Sequence, residues 1–186
     1  MSSLDLQRQI AVIEDRLERL RKADTGMSAG TSFPASPATG LMLFRTDLGW
    51  WAYYDGTRWL TAHEYTTALP FADYSASDSF ANWQRFRTDY NLYVTRVAMT
   101  TRVSTTNNGT NFWTIAIEGQ NQGFSGGTTI YQPDTSADTA GTFTSHEATA
   151  NVVLTSLVHF NLSVQKTLAP GTLRISWAVY YRLILT

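Results

Sequence analysis

The chain of 186 residues contains no cysteine. This absence excludes a disulfide framework, thiol catalysis and zinc sites with cysteine ligands. An excess of charge of one sign is also missing, because 14 basic side chains nearly balance 15 acidic ones and leave a formal net charge of −1. Such a balance gives no long-range field that would recruit nucleic acid or an anionic membrane. We therefore expect no nucleic acid among the partners of this protein.

Long apolar runs are missing as well. No stretch approaches the roughly 18 consecutive apolar residues that a membrane-spanning helix needs. The first ten residues, MSSLDLQRQI, contain no apolar signal core. We expect no membrane insertion and no export through a signal peptide, so that the protein is made and assembled in a cytoplasm.

The sequence also lacks the short motifs of common enzymes, including G-x-S-x-G, H-E-x-x-H, the P-loop and the dinucleotide fingerprint. Its histidines are His63, His146 and His159. The first two each precede a glutamate, and neighbouring residues on a strand point to opposite faces, so neither pair chelates a metal. No two carboxylates are indicated at a catalytic separation. We expect a protein that is not an enzyme and that holds no cofactor or metal.

Residues 1–24 carry a regular apolar stripe with polar residues on every other face. Its members, spaced alternately by four and three residues, are Leu6, Ile10, Ile13, Leu17 and Leu20. This heptad pattern predicts a coiled-coil helix, because a helix that packs on its own domain usually has a wider apolar face; such packing is the alternative. Isoleucine at both core positions favours three or more helices, and we predict a homotrimer.

Residues 25–40 combine small residues with glycine and the two prolines Pro34 and Pro37. This composition predicts a linker without regular secondary structure, stiffened just before the segment that follows.

Aromatic side chains are concentrated in residues 41–62, where turn residues separate short apolar runs. Asp47-Leu48-Gly49 follows the first run, and Asp55-Gly56 after the second is a strong hairpin signal. The pattern predicts a three-stranded meander of about 20 residues, which is not stable without another surface to cover it. We expect its rings to contact other copies of the chain, and the residues assigned to this contact are Trp50, Trp51, Tyr53 and Trp59.

The stretch from Phe33 to Thr61, FPASPATGLMLFRTDLGWWAYYDGTRWLT, resembles a short module of bacteriophage virion proteins. The resemblance is carried by P-x-x-P-x-x-G, then L-F-R-T-D, then Y-Y-D-G-T-R-W, and it covers about a sixth of the chain. Many phages have G-D-x-W/Y in place of Gly40-Leu41-Met42-Leu43, so the first strand departs from the common form. In tail-fibre, head-fibre and related surface proteins the module lies between an N-terminal anchoring segment and a C-terminal β-domain. The resemblance implies the same arrangement here.

Residues 71–186 alternate apolar side chains with Thr, Ser and Asn, which is typical of a solvated antiparallel sheet. The predicted strands are residues 91–103, 112–118, 128–132, 142–145, 148–154, 157–166 and 173–185. A change of phase near Thr95 and Arg96 predicts a β-bulge. We predict that residues 63–70 are a short connection and that residues 78–83 form a turn or a single helical turn.

These strands, with no second helix, predict a mainly β protein whose head, residues 71–186, is an antiparallel, jelly-roll-like β-sandwich. The last run, GTLRISWAVYYRLI, resembles the closing strand of jelly-roll domains at the C-terminus of phage fibre proteins.

A glycine- and amide-rich loop at residues 119–127 suits the recognition of neutral sugars or of a protein surface. The candidate binding residues are the aromatic Phe124 and Tyr131 and the amides Asn121 and Gln122.

We therefore interpret the chain as a virion structural protein, a short homotrimeric surface fibre, spike or decoration protein on the capsid or tail. Its partners would be its own copies, other virion proteins through the N-terminal region, and a glycan or protein of the host surface. The alternative from another class is a carbohydrate-binding module or a glycan depolymerase-like enzyme. A non-viral oligomeric scaffold is the third interpretation.

Overall fold

The computed structural model describes residues 13–14, 27–75, 77, 80–88, 90–120, 127–155 and 158–186. The predicted coiled coil lies outside these residues, except for Ile13 and Glu14, which are helical, and the Ile13 side chain is 56 % exposed. The rest of the described chain is built from strands, so the prediction of a mainly β protein is confirmed. The strands are β1 (Met27–Gly30), β2 (Met42–Arg45), β3 (Trp50–Tyr54), β4 (Trp59–Thr61), β5 (Tyr65–Tyr74), β6 (Phe80–Thr88), β7 (Leu92–Val103), β8 (Phe112–Gln120), β9 (Thr128–Tyr131), β10 (Phe143–Leu154), β11 (Val158–Thr167) and β12 (Leu173–Leu185).

The chain divides into two compact units. The first contains Met1–Ala62 with Leu185–Thr186, and the second contains His63–Ile184.

In the first unit β2, β3 and β4 form an antiparallel meander, with the strand positions that the aromatic runs predict. Gly49 and Gly56 have positive φ angles of 71° and 101°, which glycine adopts without the steric cost that a side chain brings. In the second turn the Asp55 carboxylate accepts hydrogen bonds from the backbone N–H groups of Thr57 and Arg58, both at 2.8 Å. The turn chemistry therefore places the strands as the sequence predicts.

The prediction that residues 25–40 contain no regular element is wrong at its start. Met27–Gly30 is a strand, β1, which pairs in parallel with β2. The Gly30 carbonyl also accepts a hydrogen bond of 3.0 Å from the Thr46 N–H. Small residues give no periodic signal, and the strand forms because β2 offers an open edge whose backbone groups need partners.

The second unit is an antiparallel sandwich of two four-stranded sheets, in the orders β5-β12-β7-β10 and β6-β11-β8-β9. The inward faces meet in an apolar core, where the rings of Phe160 and Tyr181 lie 5.9 Å apart. The first and last strands, β5 and β12, pair with each other, and most successive strands change sheet, so the arrangement is jelly-roll-like. The β-sandwich prediction is confirmed.

Two segments of this sandwich differ from the prediction. Residues 63–70 are not a simple connection, because β5 begins at Tyr65 and pairs with β12. The register shifts between Leu69 and Ala72, and Pro70 lies in this irregularity, where a missing N–H costs no ladder bond. Of the turn predicted at residues 78–83, residues 80–83 belong instead to β6, which begins at Phe80 and pairs with β11, and this long-range pairing overrides the local turn signal. Residues 78 and 79 lie outside the described residues.

The predicted β-bulge is confirmed. In the β7–β12 register Tyr180 faces Arg96 and Tyr181 faces Val94, so Thr95 is the extra residue. The bulge brings both apolar phases of β7 to the core, and Leu92, Val94, Val97 and Met99 are all at most 2 % exposed. The two strands predicted at residues 142–145 and 148–154 form one strand, β10.

Candidate functional site

The motif L-F-R-T-D of the first unit builds a compact ion pair. Arg45 donates from Nε and Nη2 to the two carboxylate oxygens of Asp47, at 2.9 and 2.7 Å. Its guanidinium carbon lies 4.2 Å above the centre of the Phe33 ring, and Arg45 as a whole is only 8 % exposed. The hydrogen bonds from Arg45 lower the pKa of Asp47. Arg45 of the motif thus covers Phe33, an aromatic residue that precedes the meander, and Asp47 pairs with this arginine.

The four aromatic residues assigned to contacts between copies differ in how exposed they are. Trp51 is 41 % exposed and touches Phe44, whose ring centre is 5.3 Å away, while Trp50 and Tyr53 are half-buried. Trp59 is 7 % exposed and stacks on Phe33 at 4.7 Å, so it belongs to the core of its own unit. The oligomer contact stays a prediction, and Trp51 is the ring most available for it. The coil residues Leu6, Ile10, Leu17 and Leu20 lie outside the described residues.

The predicted loop site is only partly described. Asn121, Gln122 and Phe124 lie outside the described residues. Tyr131 ends β9 and is half-buried, and this burial raises the pKa of its phenol. Its role in binding stays a prediction.

A buried polar cluster beside this loop was not predicted. The Glu118 carboxylate accepts hydrogen bonds from the amides of Gln120, at 3.0 Å, and of Asn161, at 3.3 Å. Gln120 is 8 % exposed and Asn161 is fully buried, and among the described residues neither amide oxygen has a hydrogen-bond partner. The three residues lie on the face of β8 and β11 opposite the apolar core. The only sequence signal was amide residues at outward positions of strands that are otherwise strongly apolar.

An open cavity of the second unit has a volume of about 700 Å³ and lies at one end of the β5-β12-β7-β10 sheet. Four residues stand directly across from one another in the registers of these strands: Asp73, Arg174, Arg102 and Phe143. The first three line the cavity, together with Ser75, Ser104 and Thr172. We call this cavity the arginine groove. Nothing in the sequence brings these residues together, because they come from four separate strands.

Two exposed phenylalanines adjoin the arginine groove. Phe71 and Phe143 are each 52 % exposed, and their ring centres lie 5.6 Å apart. Their strands, β5 and β10, are separated by β12 and β7, which is a distance of about 14 Å at the usual strand spacing. The rings can meet only if both lean over the two central strands. We call this contact the phenylalanine bridge.

The histidines are dispersed. His63 packs edge-on against Tyr65, with ring centres 4.9 Å apart. His146 Nε2 lies 3.0 Å from the Thr101 hydroxyl and 3.8 Å from the buried Asp138 carboxylate, and His159 is half-buried on β11. Within the described ranges no three metal-ligating side chains form a group. Among those same residues, no helix has the length and apolar character that crossing a membrane would require.

No family model and no curated protein matches this sequence. Among solved structures, the chain is similar to a capsid chain of cyanophage Pam1, with 17 % identity over 82 % of this chain and 94 % of that one, at a TM-score of 0.39. It is also similar to a chain of the disulfide-linked pili of Bacillus endospore appendages, with 13 % identity over 83 % of this chain and 100 % of that one, at a TM-score of 0.36. A third similar structure is the xylan-binding module CBM15, with 19 % identity over 58 % of this chain and 75 % of that module, at a TM-score of 0.39. The solved structures similar to this chain thus include a phage capsid protein, a pilus protein and a carbohydrate-binding module.

Proposed function

We propose that the chain is a structural protein of a bacteriophage virion, a short homotrimeric fibre, spike or decoration protein on the surface of the capsid or tail. Residues 1–24 form the coiled coil and attach to other virion proteins, the meander is a collar, and the sandwich is the outward head. The protein assembles with other virion proteins and binds an outside surface, and it catalyses no reaction. Its copies assemble in the host cytoplasm and act at the virion surface.

The proposal rests mainly on the structure that the residues of the phage-like module form. Its residues Arg45 and Asp47 form the ion pair over Phe33, and Asp55 and Gly56 make the second turn. These residues have defined structural roles in a folded meander, which supports the assignment of the motif to a collar. The collar leaves Trp51 exposed, which supports a contact with another copy.

Three heads on one coil would bind a surface by avidity. When one head has bound, the linkage raises the effective concentration of the other two near the same surface. Weak individual sites are then sufficient for attachment, and a binding site on the sandwich does not need the depth of an enzyme cleft.

Light scattering on the full chain tests the trimer. We expect a mass about three times the 20.8 kDa of one chain. The double variant Ile10→Asp, Leu17→Asp places two charges in the predicted seam and should reduce the mass to that of one chain. Ala11→Asp, which adds one aspartate on the outer face instead of the seam, is the control and should stay trimeric. Point variants are preferable to a truncation at Thr31, because that truncation removes β1.

A wild-type monomer would contradict the fibre proposal. A trimer in both the wild type and the double variant would assign oligomerisation to the collar or the head instead of the coil.

The virion context has its own test, which is the identity of the neighbouring genes. We expect capsid or tail genes there, and an operon of metabolic genes would contradict this assignment.

A further inference from the structure

The two arginines of the arginine groove differ in whether they form an ion pair. Arg174 forms a two-point ion pair with Asp73, with N–O distances of 2.6 and 2.9 Å. Arg102 donates from Nε to the Gly141 carbonyl at 3.1 Å, and no carboxylate of the described residues forms an ion pair with it. The groove therefore contains one compensated and one uncompensated guanidinium, both open to solvent.

The uncompensated guanidinium is held in place. Its carbon lies 5.4 Å from the centre of the Phe143 ring, and the bond to Gly141 fixes the Nε edge. The opposite edge, with both terminal nitrogens, is left for a ligand. A planar, pre-positioned guanidinium is well suited to a carboxylate, which can accept two parallel hydrogen bonds from it.

Neutral polar groups surround this cation. The Ser104 hydroxyl accepts a hydrogen bond of 2.8 Å from the Thr172 N–H and still has its own hydrogen to donate. Asp73 is neutralised by Arg174, but its carboxylate oxygens retain lone pairs for a ligand hydroxyl. The phenylalanine bridge adds an exposed apolar surface next to the cation, on which the C–H face of a sugar ring can pack.

From this arrangement we propose that the arginine groove binds an acidic saccharide of the hexuronic acid class. The sugar carboxylate pairs with Arg102, its hydroxyls contact Asp73 and Ser104, and its ring packs on the phenylalanine bridge. A polyacidic peptide fits less well, because it would bring further carboxylates toward Asp73 without supplying hydroxyl donors. The proposal names a ligand for the head. Its biological setting rests on the proposed attachment function, whereas the binding itself does not.

Binding of an oligogalacturonate to the full chain tests this site, measured by titration calorimetry at low salt. The uncharged galactose oligosaccharide of the same length and polyglutamate are the comparison ligands. We expect saturable binding of oligogalacturonate at least about tenfold tighter than of either comparison ligand, and weaker binding as salt is added.

Two pairs of variants locate the site. Arg102→Gln should weaken binding by about tenfold or more, and Arg102→Lys should retain part of the affinity because it keeps the charge but not the planar fork. Arg96→Gln is the matched control: this exposed arginine lies on the same face of β7, about 20 Å along the strand. Phe143→Leu should also weaken binding, whereas Val153→Ala, at an exposed apolar position of the same strand, should not.

Three outcomes would overturn the proposal. Binding that Arg102→Gln leaves unchanged would exclude the arginine groove. Equal binding of polyglutamate would indicate an acidic-peptide or unspecific cationic surface, and no binding of oligogalacturonate would exclude the ligand class. Circular dichroism on each variant separates lost binding from lost folding, and Arg102→Lys keeps the test valid if Arg102→Gln does not fold. A monomer in light scattering with intact oligogalacturonate binding would contradict the fibre and leave the saccharide site standing.

Discussion

Asp47 illustrates how one side chain of the collar links charge to stability. Arg45 donates two hydrogen bonds to its carboxylate, and the same guanidinium lies on the Phe33 ring. These hydrogen bonds favour the ionised carboxylate and lower the pKa of Asp47. An acid with a lowered pKa in the folded state adds stability above its unfolded pKa, and this contribution is lost as the pH falls through the folded value.

We therefore predict that Asp47→Asn destabilises the protein at about pH 7 and that the difference from wild type shrinks below about pH 4, near the unfolded aspartate pKa. Urea unfolding midpoints of both proteins across this pH range give the measurement. A difference that is the same at neutral and acidic pH would show that the charge of Asp47 is not responsible.

At the scale of single residues the sequence did not indicate that Trp59 is buried within its own unit. Its aromatic character suggested a contact between copies, but its burial against Phe33 depends on a residue 26 positions earlier in the chain. A sequence identifies an aromatic side chain and not the surface that covers it.

Among the elements, the loop that connects β9 to β10 is held by one buried acid. Asp138 is 2 % exposed, and its carboxylate accepts a hydrogen bond of 2.6 Å from the Thr101 hydroxyl of β7. Its backbone N–H donates to the Thr135 carbonyl at 2.9 Å. Thr135 in turn accepts hydrogen bonds from the Asn107 amide and the Trp113 N–H, at 2.6 and 3.0 Å. The loop is therefore tied to two strands by polar groups that water does not reach.

Thr101→Val keeps the shape of the side chain but removes its hydroxyl, so Asp138 loses a donor while remaining buried. We expect a loss of about 1–3 kcal/mol in the free energy of unfolding. The matched control is Thr100→Val, on the outward face of the same strand, with an expected effect within about 0.5 kcal/mol. Urea unfolding checks both, and equal effects of the two substitutions would contradict the role given to this hydrogen bond.

At the scale of the whole molecule, β12 is the strand on which the sandwich depends. It pairs with β5 on one side and β7 on the other, although those strands begin 108 and 81 residues earlier in the chain. Three of its inward residues, Ile175, Trp177 and Val179, are at most 3 % exposed. A strand with two partners and a buried face contributes ladder hydrogen bonds and apolar burial together.

Deletion of residues 179–186 should therefore prevent soluble expression. It removes the buried side chains of Val179, Tyr181 and Leu183, each worth about 1.5–3 kcal/mol, from a fold whose net stability is about 5–15 kcal/mol. A chain lacking only the exposed Thr186 is the control and should remain soluble. The soluble fraction after expression is the measurement, and a folded product of the longer deletion would show that β12 is not central.

The sequence by itself determined the elements whose signal is local. The period-two alternation predicted β7, β8, β11 and β12 with their inward faces, because a strand side that packs on a core must be apolar at every second residue. The phase change at Thr95 predicted the bulge for the same reason, and the hairpin of the collar followed from Asp55-Gly56, whose conformation few other residues adopt without strain.

Only the tertiary structure decided the rest. β1, β5 and β6 are strands because a neighbouring edge supplies their hydrogen-bond partners, and their own sequences favoured a linker, a connection and a turn. The arginine groove joins positions 73, 102, 143 and 174, which become neighbours only when four strands align in register. Local patterns fix which side chains face inward, whereas pairing between distant strands fixes which side chains meet.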